Sequence, residues 1–198
     1  MVKNLLIKGN SKMGPSVNLF NLPSKKTCTP TKWCLEGMNG KPACYALRNN
    51  FLFLNVIQGA KERFELSKQE DFVDRMVKEI HRASPKYFRF HSSGDFYNAK
   101  YVGKVIEIAK ACPDTLFRTT TRRRDLSDSI KELNQLPNFI VRESLDSERK
   151  IPKMGLPFAA LNGLPIVSES DSYHCLDDCP KCGYYCWEHS CNVDFDEH

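Results

Sequence analysis

Segments with the pattern of β-strands alternate along this chain with segments that have the pattern of amphipathic helices. Strand patterns occur at residues 17–22, 87–91, 116–121 and 139–143, and shorter candidates at 158–161 and 165–168. Helical patterns begin at Tyr45, at a capping box starting with Ser67, near residue 98 and at a predicted cap on Asp125. An order of strand, helix and strand predicts a parallel sheet with right-handed crossovers.

The chain has 198 residues, which is short of the roughly 250 that a complete eight-fold β/α barrel takes. We therefore expect an α/β fold built as a partial, truncated parallel β/α barrel, with an open doubly wound sheet as the alternative. Residues 1–168 would form this unit, and residues 169–198 a cysteine-rich tail packed on it. In both architectures ligand sites form at the carboxyl ends of the strands.

Nine cysteines, an odd number, lie in a chain whose first residues lack the pattern of a secretion signal. This combination predicts free thiols in a reducing, cytoplasmic compartment and favours metal binding over disulfides. Cys112 ends an apolar helical stripe, so we expect it to pack as a small hydrophobic residue. No apolar run approaches the roughly 20 residues of a membrane span, and we expect no membrane partner. The predicted metal ligands are the other eight: Cys28, Cys34, Cys44, Cys175, Cys179, Cys182, Cys186 and Cys191.

Three of these cysteines, Cys28, Cys34 and Cys44, lie in a loop that follows the first predicted strand. Three thiolates can hold a 4Fe–4S cluster and leave one iron open to a ligand. Zinc sites usually use close Cys-x2-Cys knuckles, and this loop has none. The loop therefore favours an iron–sulfur cluster over zinc.

The other five predicted ligands crowd into 17 residues of the tail, from Cys175 to Cys191. Within them, the run from Cys179 to Gly183 resembles a zinc-ribbon or rubredoxin knuckle, although a ribbon needs a second knuckle and none is present. Two arrangements remain open. Four tail thiolates would enclose a second 4Fe–4S cluster with one cysteine left over, or the tail would supply a fourth ligand to the loop. Zinc is the alternative metal.

Charge is distributed as unevenly as the cysteines. Residues 169–198 hold eight acidic side chains and one basic, for a net charge of −7, and the remaining residues hold 28 basic and 16 acidic, for +12. A basic body could attract nucleic acid or a phosphorylated substrate. It could equally receive the acidic tail and balance the negative charge of a thiolate-ligated cluster.

The alternation of side chains along the strands places arginines on one face of the sheet. The pairs that share this face are Arg89 with His91, Arg118 with Thr120, and Arg142 with Ser144. Three neighbouring strands that each contribute an arginine predict an anion-lined interior, as opposed to a solvated face.

Several short motifs make the chain similar to known proteins. The three-cysteine loop, which ends in Cys44-Tyr45-Ala46, resembles the cluster loop of radical-SAM proteins, with wider spacing than their Cys-x3-Cys-x2-Cys. Ser93-Gly94-Asp95 occupies the place of their Gly-Gly-Glu motif. The segment 117–139, the run from Gly9 to Lys12 and the pair Cys186-Trp187 resemble the phage gene product 88 family, over most of the chain.

This resemblance implies an enzyme in which S-adenosylmethionine chelates the open iron and is cleaved by one-electron reduction to a deoxyadenosyl radical. Ser93, Gly94 and Asp95 would bind this cofactor, with Asp95 on its amino group. Arg118 or Arg142 would bind its carboxylate or an anionic substrate, and His91 is the candidate proton donor. The implied partner is a reductant such as ferredoxin or flavodoxin, in the host cytoplasm if the protein is phage-encoded.

Two other functions fit the same residues. One is a non-enzymatic iron–sulfur protein for electron transfer or redox sensing, with every iron capped by a thiolate. The other is a zinc-stabilised nucleic-acid binder that uses the run Arg122-Arg123-Arg124 on phosphate. An arginine run before a helix is usually a solvated turn, and no series of aromatic residues accompanies it for base stacking, so nucleic acid is the least favoured partner.

Overall fold

A computed structural model describes residues 4–37 and 40–197 of the chain. Eight strands lie in these residues: β1 (Ile7–Lys8), β2 (Val17–Phe20), β3 (Tyr87–Phe90), β4 (Leu116–Thr121), β5 (Phe139–Leu145), β6 (Phe158–Leu161), β7 (Ser172–His174) and β8 (Asn192–Phe195). The same residues contain seven helices: α1 (Lys32–Glu36), α2 (Leu54–Lys68), α3 (Phe72–Ala83), α4 (Ala99–Ala111), α5 (Ser127–Asn134), α6 (Pro165–Ser168) and α7 (Tyr185–Glu188).

All eight strands belong to one sheet with the order β1-β2-β3-β4-β5-β6-β8-β7. The short β1 runs antiparallel to β2, and the other pairs are parallel. The prediction of an α/β fold around a parallel sheet is therefore confirmed. Parallel pairing brings the carboxyl ends of β2 to β6 to one edge of the sheet, where the cysteine loop leaves β2.

The helices α2 to α5 pack on one face of this sheet, against a layer of phenylalanines. Phe88 lies beside Phe117 in the register of β3 and β4, and Phe117 lies beside Phe139 in that of β4 and β5. The rings of Phe117 and Phe139 stack with centroids 5.6 Å apart. Burying each such ring contributes about 1.5–3 kcal/mol, so this layer is a main source of stability. Cys112 is 2% exposed and belongs to the same core, as predicted.

The tail covers the opposite face and also enters the sheet. Trp187 and Cys186 pack against Val17, Leu19 and Tyr87, and the Trp187 indole donates a hydrogen bond of 3.0 Å to the carbonyl of Phe88. Strand β8 pairs with β6, and β7 forms the outer strand next to β8. Residues 169–198 therefore supply two strands to the same sheet.

Four local predictions are wrong. Residues 165–168 form helix α6, which Pro165 begins. The helix expected from Tyr45 begins at Leu54, after two short 3-10 turns. Ser67 lies in the last turn of α2 and donates to the carbonyl of Phe64, so it opens no capping box. Asp125 pairs with Arg123, and α5 begins at Ser127. No helix among the described residues is long and apolar enough to cross a bilayer.

Candidate functional site

The loop that carries Cys28, Cys34 and Cys44 extends across the carboxyl ends of three strands. Beyond β3, the backbone N–H of Asp95 donates to the Thr27 hydroxyl at 3.1 Å. Beyond β4, the carbonyl of Arg122 accepts from the Thr29 hydroxyl at 3.3 Å. Beyond β5, the carboxylate of Asp146 accepts from the Thr31 hydroxyl at 2.8 Å. The thiols are thus held at the edge where parallel sheets bind ligands.

Asp146 fixes the part of the loop that contains Cys34. Its Oδ2 accepts from Thr31 Oγ1 and, at 3.2 Å, from Arg122 Nε, and its Oδ1 accepts from the backbone N–H groups of Glu148 and Arg149. Thr31 in turn caps α1 by accepting the Cys34 N–H at 3.3 Å. Burial opposes ionisation of Asp146, but the Arg122 charge and these hydrogen bonds hold its pKa below the usual value.

Ser93 and Gly94 clamp the start of the loop. Gly94 has a φ of 81°, and a Cβ there would lie 2.8 Å from the Leu22 carbonyl oxygen and 2.8 Å from Thr27 Oγ1. Only glycine combines this left-handed backbone with so close an approach. Ser93 Oγ donates to the same Leu22 carbonyl at 2.9 Å. The motif therefore holds the loop by direct contact.

Asp95 is 4% exposed, and its carboxylate accepts most of its hydrogen bonds from the protein itself. Its Oδ1 accepts from Thr121 Oγ1 at 2.7 Å and from the Phe96 N–H at 2.8 Å, and its Oδ2 accepts from the Arg122 N–H at 2.9 Å. A carboxylate has about four acceptor positions, so three are occupied. Burial raises the pKa of Asp95 in spite of these bonds. In the structure Asp95 positions the loop, and its binding of a cofactor amino group stays a prediction.

The three loop thiols lie close enough to affect one another electrostatically. Burial raises the pKa of the Cys28 thiol to about 12, and the charges of Asp95 and Cys44 add to the rise. Burial also raises the pKa of Cys44, with a contribution from Cys34 in the same direction. The charge of Arg122 opposes the rise in pKa at Cys28 and Cys44, and the Cys34 thiol also lies close enough to raise the pKa of Arg122. Free thiols at Cys28 and Cys44 are therefore protonated at neutral pH, and metal binding there would release protons.

Thiol placement separates two kinds of metal centre. Among the described residues, no group of three or more Cys, His, Asp or Glu side chains is placed so that it could hold a metal ion. Zinc needs its thiolates about 2.3 Å from one centre, and the side chains do not converge in that way. A 4Fe–4S cluster binds each thiolate through a different iron, so its ligands stand further apart. Which metal centre the loop thiols hold therefore stays a prediction from the sequence.

The predicted arginine face exists and lies under the tail. Arg89 and Arg118 are register partners on β3 and β4, and Arg142 lies opposite Thr120 on the same face. Arg89 donates to the Tyr45 hydroxyl at 3.0 Å, which connects this face to the cysteine loop.

Arg142 and Arg118 contact the tail in different ways. Arg142, 1% exposed, donates to three tail carbonyls, those of Cys191 at 2.8 Å, Cys186 at 3.0 Å and His189 at 2.7 Å. The guanidinium of Arg118 lies 4.2 Å from the centre of the Trp187 ring, and its buried Nε has no hydrogen-bond partner among the described residues. Arg142 thus holds the tail in place, and Arg118 keeps an unused donor beneath it.

Four tail thiols form a second group. Cys175 is an electrostatic neighbour of Cys186, and Cys179 of both Cys175 and Cys182. Burial raises the pKa of Cys179 to about 11, against the charge of Arg118. Cys191 lies instead at Arg142, with its Sγ 3.8 Å from a guanidinium nitrogen. The charge of Arg122 therefore acts on the loop thiols, whereas that of Arg118 acts on Cys179 and Cys186 in the tail.

The prediction that His91 shares a face with Arg89 is wrong. His91 has a φ of 62°, which reverses the alternation of side chains at the end of β3. Its Nε2 lies 3.0 Å from the Tyr101 hydroxyl on α4, and Phe96 packs edge-on against the ring. Burial lowers the pKa of His91 to about 3, so the imidazole is neutral. Its role as a proton donor stays a prediction from the sequence.

The sequence analysis missed the residues that hold the loop in place. Asp146 and Glu148 follow a strand, and Glu148 accepts from the N–H of Lys32 at the start of α1. The run at 122–124 is also misread as a solvated turn. Arg122 pairs with the buried Asp146, and Arg124 pairs at 2.6 Å with the buried Glu143. The signal in the sequence is a run of three arginines followed, at the end of the next strand, by the two acids Glu143 and Asp146.

Comparison with known proteins gives one match. The sequence profile described as Gene product 88 matches residues 3–161, which include the cysteine loop and the arginine face and stop before the tail. No curated protein matches the chain, and no solved structure matches it. Because the profile covers well over half of the residues, the chain belongs to the gene product 88 family.

Proposed function

We propose that this protein binds a 4Fe–4S cluster through Cys28, Cys34 and Cys44 and is a radical-SAM-like enzyme. The observation that carries the proposal is the fixed position of the loop, which places three thiols next to Arg122 at the carboxyl edge of the parallel strands. When bound, such a cluster supplies one-electron reduction of S-adenosylmethionine at its open iron.

The residues around the thiols have separate tasks in this proposal. Arg122 balances the charge of the thiolates, and Asp146 keeps Arg122 and Thr31 in place. Asp95 holds the backbone of Arg122 and has one acceptor position left for the amino group of the cofactor. Arg118, whose Nε is unused, is the better candidate for a carboxylate or anionic substrate than Arg142, which the tail occupies.

The arrangement of layers supports a partial barrel for this enzyme. Helices α2 to α5 lie on one face of the sheet, and the tail lies on the other. A doubly wound sheet carries helices on both faces, whereas a barrel carries them only outside. We therefore propose that the arginine face is the interior of a partial barrel which the tail closes.

A closed iron–sulfur protein without enzymatic activity is the second candidate. It is favoured by the tail, because Trp187 and the bonds of Arg142 fill much of the face on which a substrate would lie. The nucleic-acid alternative has less support. Each arginine of the run at 122–124 pairs with a carboxylate, which leaves it less available for phosphate.

Electron paramagnetic resonance separates the two iron–sulfur candidates. We would reconstitute the full chain without oxygen, reduce it with dithionite and record the spectrum before and after adding S-adenosylmethionine. An open iron predicts a changed cluster signal, because the added molecule becomes its ligand. An unchanged signal in a fully loaded sample would contradict the enzyme and favour the closed protein. Cys112→Ala is the matched control and should behave as wild type, since Cys112 lies in the helix-side core.

We also propose a second metal site formed by Cys175, Cys179, Cys182 and Cys186. These four thiols are electrostatic neighbours, and the charge of Arg118 acts on Cys186 and Cys179. Cys191 is the cysteine left over, because Arg142 holds both its carbonyl and its sulfur. This assignment makes the tail a site of its own, with no ligand supplied to the loop.

Metal analysis of serine variants tests this assignment. The double variant Cys179→Ser/Cys182→Ser should lose one complete centre and keep the metal of the loop, whereas Cys191→Ser should keep the full content. Iron and acid-labile sulfide would identify a second cluster, and zinc the alternative metal. Equal loss of metal in Cys191→Ser would overturn the choice of the four ligands.

A further inference from the structure

We propose that the exposed apolar side chains of Leu52, Phe53, Leu54 and Val56, here called the apolar patch, are the docking surface for a small acidic electron-carrier protein. This inference rests on the proposed cluster, which needs an external source of electrons, and it adds the place and the chemistry of the partner. The step moves one electron from the reduced flavin or iron–sulfur centre of the carrier to the oxidised cluster. The carrier loses one electron, the cluster gains it, and no bond forms or breaks.

The apolar patch is unusual for its exposure. Leu52 is 56% exposed, Phe53 58%, Leu54 84% and Val56 37%, so four of the six exposed large hydrophobic residues described lie in one five-residue stretch. Single exposed apolar side chains are common on proteins, whereas contiguous groups mark interaction sites. The helix that the sequence predicts from Tyr45 would run through these residues. Because α2 begins only at Leu54, after an extended Phe53, these side chains face solvent instead.

The apolar patch lies next to the proposed cluster site. Phe51, which precedes it, packs against the ring of Tyr45 with centroids 5.6 Å apart. Tyr45 follows Cys44 directly in the chain, and its hydroxyl accepts from Arg89. A protein that covered the apolar patch would therefore lie next to the segment that carries Cys44, as electron transfer to a cluster there requires.

The charge around the apolar patch indicates an acidic partner. Residues 24–61 hold six basic side chains and only one acidic, Glu36, for a net charge of +5. Lys61 is exposed among them and lies on α2 two turns beyond Leu54, on the same face of the helix. An apolar surface on a basic segment is complementary to a protein with an apolar centre and an acidic rim, and this complementarity raises the association rate.

A protein partner fits better than a lipid surface. Helices that lie in a membrane interface carry a continuous apolar face. Beyond Val56 the exposed face of α2 is polar, with Gln58, Lys61 and Glu65. The apolar patch is therefore confined to the first turn of α2 and the residues before it, which is the size of the central cluster of a small protein interface.

Titration calorimetry of the reconstituted full chain with purified flavodoxin tests this inference. We expect saturable binding that weakens as salt is raised. The triple variant Leu52→Ser/Phe53→Ser/Leu54→Ser should weaken binding by at least about tenfold, because central apolar residues dominate such interfaces. Lys61→Glu should weaken it mainly at low salt. Ile151→Ser is the matched control, since Ile151 is 67% exposed in the β5–β6 connection and should leave affinity unchanged.

Iron content, measured on the same samples, separates the two proposals. A wild-type chain that holds its cluster but binds no flavodoxin would overturn the docking surface and leave the cluster in place. A chain that holds no iron under these conditions would overturn the cluster itself, and with it the electron-transfer role of the apolar patch. Two other results would also overturn the proposal. If the wild-type chain bound vesicles of phosphatidylserine and phosphatidylcholine and the triple serine variant did not, the apolar patch would be a membrane contact. If the wild-type chain self-associated and the variant did not, the apolar patch would bind a second copy.

Discussion

Acidification should destabilise this protein through one buried imidazole, that of His91. The side chain is 3% exposed and bonds through Nε2 to the Tyr101 hydroxyl, and its buried Nδ1 has no partner in the described part of the chain. Burial, with a smaller contribution from the charge of Arg89, lowers its pKa to about 3. The imidazole of an unfolded chain titrates at about 6.5.

The sign of the effect follows from which state binds the proton first. Below about pH 6.5 the unfolded chain is protonated at His91 and the native protein is not, so unfolding becomes more favourable as the pH falls. Each pH unit in the window between the two pKa values costs about 1.4 kcal/mol. Between pH 7 and pH 5 this one site should therefore lower the free energy of unfolding by about 2 kcal/mol.

Urea denaturation at several pH values, on wild type and on His91→Asn, measures this contribution. Asparagine adopts a left-handed backbone readily and does not titrate, so it suits the φ of 62° at this position. The other histidines are common to both proteins and cancel in the comparison. We expect wild type to lose about 2 kcal/mol more than the variant on going from pH 7 to pH 5. Parallel pH profiles would refute the account of a neutral, buried imidazole.

Three further substitutions test how the loop and tail are held. Arg142→Met should lower the free energy of unfolding, measured in urea, by about 3–5 kcal/mol, because three tail carbonyls lose a charged donor; a loss below about 1 kcal/mol would show that the tail is held elsewhere. Asp146→Ala should lower the free energy of unfolding by about 2–4 kcal/mol, since Thr31 and Arg122 lose their acceptor, and should make the cysteine loop more sensitive to protease. Unchanged cleavage would show that Asp146 does not hold the loop. Cys112→Ala should keep the metal content of wild type, measured by elemental analysis, and a loss of metal would contradict its assignment to the core.

The sheet could be predicted because its signals are local. Strand β4 has the predicted bounds, Leu116–Thr121, and its alternation places Arg118 on the face expected. The same rule fails at His91. Contact with Tyr101 on α4 stabilises a left-handed backbone at this residue, which turns the side chain to the face opposite the one that strand alternation predicts. Helix starts fail for a related reason, since the residues at Ser67 and Asp125 find partners other than the helix N-terminus.

Of the candidate site, only the cysteines proposed as metal ligands could be predicted from the sequence. Cysteines in a loop after a strand are visible in the sequence, whereas the acceptor that holds the loop is not. Thr31 and Asp146 are 115 residues apart in the chain and meet only because β2 to β5 are parallel neighbours. The arginine run was misread for the same reason. Arg124 meets the buried carboxylate of Glu143, and Arg122 meets that of Asp146, only once the sheet has folded.

Iron and acid-labile sulfide in the reconstituted protein test the central claim most directly. The tail double variant Cys179→Ser/Cys182→Ser serves as the background, so that only the loop site is measured. The account predicts about four irons and four sulfides per chain in this background. Further substitution of Cys28, Cys34 and Cys44 by serine should remove them. A background chain that holds no iron, or iron that remains after the loop cysteines are replaced, would contradict the assignment of the cluster to this loop.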